Sequence, residues 1–108
     1  GGAFAAQAGQ GSGSFEALYD VPVMDGLEEL KDQAVLFDKP DGKIASVVAA
    51  SKSLNAPQIE AFYAKTLPQM GWRKTNNNQY IRADEQLAMD ISVQKTLTIV
   101  QFTLSPHH

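Results

Sequence analysis

The side chains able to carry chemistry are few in this chain, and they do not gather. Its two histidines, His107 and His108, are the final residues and follow Ser105-Pro106. They fall beyond the last predicted strand, so two adjacent imidazoles have neither fixed geometry nor a third ligand for zinc. Cysteine is absent, which removes thiol catalysis, disulfides and cysteine-based metal sites. A Ser/His/Asp arrangement has no internal histidine to use, and no G-x-S-x-G occurs. Gly11-Ser12-Gly13-Ser14 is rich in glycine, but neither a lysine nor a helix follows it as in a phosphate loop. The sequence therefore offers no catalytic residue, no metal ligand set and no cofactor motif.

The acids point the same way. Glu28-Glu29 and Asp84-Glu85 are neighbours in sequence, and neighbouring side chains diverge rather than converge on one reacting atom. They read as solvated turns. Asp38 and Asp41 flank Lys39-Pro40, where turn chemistry accounts for both, with calcium ligation as the alternative. Asp90 sits mid-strand on the face opposite an apolar row, a place for a solvent-facing acid. Arg73, Lys74 and Arg82 fall on neighbouring predicted strands, where a cross-strand pair with Asp90 is expected ahead of anion binding. Trp72 and Tyr80 could stack a ligand, although core packing or covering a helix end explains both.

These residues need elements to position them. The segment from Asn55 to Met70 predicts the principal helix. Pro57 suits its first helical position, and Ile59, Phe62, Tyr63, Leu67 and Met70 fall on one stripe. Pro68 removes a backbone donor in the last turn, so the helix should kink or end early there, with Gly71 as its stop. Before it, Ala34 to Asp38 and Lys43 to Ala50 predict a hairpin around Lys39-Pro40-Asp41-Gly42. After it, Trp72–Thr75, Gln79–Ala83, Leu87–Gln94 and Leu97–Ser105 predict four strands whose short links force antiparallel pairing. The order β-β-α-β-β-β-β gives a two-layer α+β fold, one helix packed on a curved antiparallel sheet, over residues 34–105.

Residues 15–33 read as an ordered arm without long secondary structure, with Leu27-Glu28-Glu29-Leu30 as a possible helical turn. Residues 1–14 are almost entirely glycine, alanine, serine and glutamine. Such a segment buries too little apolar surface to offset its ordering entropy, so a disordered tail is expected. The small residues at Ala3-Phe4-Ala5 form an A-x-A-like pattern of the kind cut after a secretory signal. That predicts an exported, periplasmic or secreted protein, with a linker in a cytoplasmic protein as the alternative.

Composition sets the remaining limits. The chain has 108 residues, 44% hydrophobic and 19% charged, with a formal charge of −3. That is one ordinary globular domain. The acidic and basic residues are interspersed, so neither a nucleic-acid footprint nor a polybasic membrane patch is expected. No stretch approaches the roughly 20 apolar residues of a membrane-spanning helix.

The string Phe62-Tyr63-Ala64-Lys65-Thr66-Leu67-Pro68-Gln69-Met70-Gly71-Trp72 resembles an F-Y-x-x-x-L-P-x-x-G-W pattern of small, mostly uncharacterised exported bacterial domains. The element order from Gln33 to Leu104 is similar to that of the helix-grip domains of the lipoprotein subunit of the outer-membrane assembly machinery. The resemblance implies an envelope location and a non-catalytic role, and it supplies no catalytic residues. This chain lacks the lipidation cysteine of that lipoprotein.

One helix cannot cover both faces of such a sheet. Either Ala45, Val47 and Ala49 or Ile44 and Val48 must point away from it, because alternate residues leave a strand on opposite faces. An apolar second face predicts association with a protein partner or a second copy, unless the arm at Val21 to Leu30 covers it. The expected surface comprises Ile44, Val48, Trp72, Arg73, Tyr80, Arg82 and Asp90. The leading expectation is a non-enzymatic interaction or assembly module of the bacterial envelope. The alternative is a small-ligand binding domain whose cavity, between helix and sheet, is lined by Phe62, Met70, Met89 and Phe102.

Overall fold

Two proline-marked reversals and three short hairpin turns organise the chain. A computed structural model of it describes residues 11–18 and 20–107. In chain order these form β1 (Gly11–Ser14), β2 (Pro22–Met24), β3 (Glu28–Glu29), a 3-10 turn (Lys31–Gln33), β4 (Val35–Lys39) and β5 (Gly42–Ser51). There follow helix α1 (Ala56–Thr66), a second 3-10 turn (Leu67–Met70), β6 (Arg73–Asn76), β7 (Gln79–Arg82), β8 (Glu85–Gln94) and β9 (Leu97–Pro106). The result is an α+β fold with a mostly antiparallel sheet, and its elements from β4 to β9 follow the expected order.

Local chemistry explains the boundaries. The Asn55 side chain accepts from the Gln58 N–H, and the Gln58 side chain accepts from the Asn55 N–H, which closes a capping box at the start of α1. The α-helix ends at Thr66, and Pro68 turns the continuation into 3-10 geometry. Gly71 then adopts φ 94°, a left-handed conformation open to glycine at little cost. At the other hairpin, Gly42 has φ 142°, and a Cβ there would come within 2.6 Å of the Pro106 ring. A side chain at position 42 would therefore disturb both the turn and the end of β9.

The main sheet runs β3-β5-β9-β8-β7-β6, with β4 also paired to β5. β3 and β4 share one flank of β5, β3 beside Ala49 and Ala50 and β4 beside Gly42 to Ser46. Cross-strand rows show which face is covered. Ala45, Leu104, Leu87 and Tyr80 form one row, and Val47, Phe102 and Met89 the next. All seven are buried. Ile59, Tyr63 and Leu67 of the helical segment are buried in the same cluster, each such side chain contributing roughly 1.5–3 kcal/mol by leaving water. Met70, expected on this stripe, is exposed, because the 3-10 turn rotates it away from the sheet.

The arm completes this layer. Phe15, Leu18, Val21, Val23 and Leu27 are buried in the core cluster. The Phe15 ring lies 5.5 Å from that of Phe102, and the Tyr63 ring approaches Phe102 edge-on at 4.8 Å. Both therefore lie on the helix side of the sheet. Tyr63 also fastens the arm, donating its hydroxyl to the Pro22 carbonyl at 2.6 Å and accepting from the Met24 N–H at 3.1 Å. Burial pushes the Tyr63 phenol well above its ordinary range, so it keeps the proton that its bond to the Pro22 carbonyl requires.

Three expectations need correction. Gly11–Ser14, assigned to the tail, forms β1 and pairs with β2, while residues 1–10 lie outside the described residues. Leu27 to Leu30 is no helical turn. Glu28 and Glu29 pair with β5, and the Leu30 N–H donates to the Val48 carbonyl at 2.8 Å, satisfying groups that β4 cannot reach. The chain end is also less loose than expected, since the His107 N–H donates to the Asp84 carbonyl at 2.7 Å.

Replacing Tyr63 by Phe leaves Pro22 and Met24 without their shared partner. Urea unfolding should show a loss of about 1–3 kcal/mol, the usual effect of stranding partly buried polar groups. The Met24 amide should exchange faster with solvent while the Phe102 amide stays protected. An unchanged Met24 amide would show that the hydroxyl does not hold the arm.

Candidate functional site

The expected surface residues divide between two faces. Trp72 and Tyr80 are buried on the helix side, and Arg82 lies beside Trp72 with its guanidinium carbon 4.3 Å from the indole centroid. Arg82 also donates to the Met70 carbonyl at 3.0 Å, forms an ion pair with Asp20 and lies 3.9 Å from Glu85. One guanidinium thus joins the end of the helical segment, the arm and the start of β8. These contacts are structural, and they occupy the groups through which Arg82 could hold an anion.

The expected pairing of Asp90 with the basic cluster does not occur. Arg82 shares the face of Tyr80, whereas Asp90 lies opposite Gln101 and Val48 on the other side of the sheet. Arg73 shares that open face through Ile81 and Gln86, but it stands two strands away on β6. Lys74, opposite Tyr80, is on the helix side. Asp20, the true partner of Arg82, lies 62 residues away in sequence, which no local pattern signals.

Tyr80 has a different environment. Its hydroxyl is buried without a hydrogen-bond partner, and burial together with the nearby Glu60 carboxylate raises its ionisation above the usual phenol range. Glu60 accepts from the Asn78 side chain at 3.0 Å. The Trp72 indole nitrogen is likewise buried without a partner. Neither group hydrogen-bonds to a nucleophile or a base, the Glu60 carboxylate included, so neither is held in an acid–base pair. Among the described residues no group of three His, Asp or Glu side chains could hold a metal ion.

The cavity expected between helix and sheet is filled. Phe102 and Met89 are buried, and Phe15 and Tyr63 close over the Phe102 ring. Phe62 instead lines an open cleft of about 800 Å³ between β2 and α1, together with Met24, Ala61, Lys65 and Gln69. This cleft faces solvent.

The sheet's far side and edges are more telling. Ala45, Val47 and Ala49 face the helix, so Ile44 and Val48 point to the open face. The arm does not cover them, because it lies with the helix. The centre of the open face is polar, with Gln101 donating to Ser46 at 2.8 Å and Gln86 to Ser105 at 3.2 Å. Its apolar part lies beside β4, where Val35 and Phe37 stand opposite Ser46 and Ile44.

The sequence marks β4 as a hairpin strand and gives no sign of a surface there. Val35, Leu36 and Phe37 are 44%, 55% and 57% exposed. Three consecutive large apolar residues were visible in the sequence, but nothing there told an edge strand from a central one. The other edge, β6, carries Arg73, Lys74, Thr75 and Asn76, all exposed. Charged residues discourage strand addition, and an apolar edge invites it.

The backbone at β4 has a definite phase. Val48 turns its carbonyl toward the β3 and β4 flank, as its bond from Leu30 shows. Ser46 and Ile44 share that phase and so exchange hydrogen bonds with Val35 and Phe37. Leu36 and Asp38 then point their N–H and C=O groups outward. Among the described residues, β4 pairs with β5 alone.

Arg82→Ala should destabilise the fold by about 2 kcal/mol, since it removes a charge-assisted bond and a cation–π contact. Arg82→Lys should fall between, because an ammonium keeps the charge but not the planar stacking. Thermal unfolding of both variants measures this, and equal losses would contradict the stacked geometry. Comparison of the chain with protein-family models, curated proteins and solved structures returned no match.

Proposed function

We propose that this chain is a non-enzymatic protein-interaction or assembly module of the bacterial envelope. It engages its partner through the β4 edge and the adjoining strip of open sheet face at Ile44 and Val48. The observation that carries this reading is the pair of unlike edges. β6 is guarded by Arg73 and Lys74, while β4 presents Val35, Leu36 and Phe37 to solvent. Outward backbone groups on such a strand give affinity to an added strand, and alternate side chains give specificity.

The non-enzymatic part rests on the lack of cysteine and on histidines confined to positions 107 and 108. The envelope location rests on the small-residue pattern at Ala3-Phe4-Ala5 and on the resemblance to helix-grip domains. No helix among the described residues is long and apolar enough to cross a membrane.

A photo-crosslinking residue placed singly at Phe37, Val48 or Thr75 tests the proposal in the native cell. Discrete adducts are expected from Phe37 and Val48 and none from Thr75 on the β6 edge. Equal adducts from all three positions, or none from any, would contradict it.

A further inference from the structure

We propose that the occupant of the β4 edge is a second copy of this chain, paired antiparallel with Leu36 opposite its own counterpart. This deepens the reading of β4 as an interaction edge and rests on it. Backbone phase limits the pairing. Leu36 and Asp38 carry the outward groups, so an added strand must set its own outward residues against them. For two copies of β4 related by a two-fold axis, the centre must then fall on a residue and not between two residues.

Charge and polarity separate the possible centres. Centred on residue 35, the pairing sets Asp38 against Asp32 and Lys39 against Lys31, each twice. Centred on 38, it sets Asp38 against Asp38 and Leu36 against Pro40, which has no N–H to give. Centred on 37, it sets Leu36 against Asp38 twice, with a carboxylate beside each leucine. Like charges directly opposite are unfavourable, and so is a carboxylate set against an apolar neighbour.

Centred on Leu36, no like charges meet, and each Asp38 faces the small Ala34 just before the strand and not a leucine within it. Leu36 meets Leu36, and Val35 meets Phe37 twice, an aromatic and β-branched match. Asp38 meets Ala34, Lys39 meets Gln33, and past the strand ends Lys31 approaches Asp41 with opposite charge. The two Leu36 residues exchange both backbone bonds across the axis. The axis is perpendicular to the sheet, so the open faces of the two copies join. Val35, Phe37, Ile44 and Val48 of each copy then form one continuous apolar strip. A short strand pair sits at the small end of interface sizes, so the association is expected to be reversible.

Sedimentation equilibrium of the whole chain tests this between about 10 µM and 1 mM, a range set to bracket so small an interface. A reversible dimer is expected, and Leu36→Lys should weaken it at least tenfold. Leu36 is more than half exposed, so the variant should keep its unfolding temperature, which a thermal melt checks. The cysteine-free background allows the register to be read directly. Paired strands bring Cα atoms within disulfide reach. Leu36→Cys alone should oxidise readily to a covalent dimer. Val35→Cys and Phe37→Cys should cross-link well only when mixed.

A monomer at 1 mM, a dimer indifferent to Leu36→Lys, or preferential cross-linking of Phe37→Cys alone would each overturn the proposal. A monomer here combined with cellular adducts from Phe37 to another protein would remove self-pairing and leave the interaction reading standing. Loss of those adducts would remove the interaction reading itself.

Discussion

The Tyr63 hydroxyl, with its ring against Phe102, is the constraint on which the arrangement depends. It is donor to Pro22 and acceptor from Met24, so one side chain serves two backbone groups on the same edge of β2. The ring meanwhile reaches the middle of the sheet. Helix, arm and sheet are thereby joined at a single residue. Without it, the arm would keep the packing of Phe15, Leu18 and Val21 but lose the polar contact that sets its direction. The three residues of β2 are held besides by Val23 in the core and by pairing with β1, and so short a pair is marginal in water on its own.

Placing the arm beside the helix decides what the rest of the surface can be. Two elements share one face, and among the described residues no element packs on the other face or on the outer edge of β4. The open face manages its exposure through polar ties between strands, Gln101 to Ser46 and Gln86 to Ser105. β6 manages its edge with charge. β4 has no such protection beyond Asp38 and Lys39 at its end, and its three apolar residues remain wet. The asymmetry between the edges links packing to function, because it leaves one strand fit to receive another.

Much of this was legible because local chemistry and period agreed. Asn55, Pro57, Pro68 and Gly71 mark the helix ends, and Leu87, Met89 and Ile91 mark a strand with one buried face. β1 was not legible, since Gly11 to Ser14 carry no side chain signal and their pairing is made by the backbone. On β5 both sets of alternate residues are apolar, so periodicity left two choices. Packing resolves them. Ala45 and Ala49 are small enough to lie under bulky neighbours such as Leu104 and Phe102, while Ile44 and Val48 stand on the side that none of the described residues covers. The Arg82–Asp20 and Tyr63–Pro22 contacts escaped notice because they join segments distant in sequence, at separations of 62 and 41 residues. The exposure of β4 escaped for another reason, as an apolar strand reads alike at an edge and at the centre of a sheet.

The arm lies on the helix side, and among the described residues it leaves the opposite face and the β4 edge uncovered. Proton–proton contacts measured by nuclear Overhauser spectroscopy test it most directly. The account predicts contacts of the Phe15 and Tyr63 rings with Phe102, and none from the side chains of Phe15, Leu18 or Val21 to those of Ile44 or Val48. Contacts from the arm's side chains to Ile44 and Val48 would place it over the open face and contradict the account.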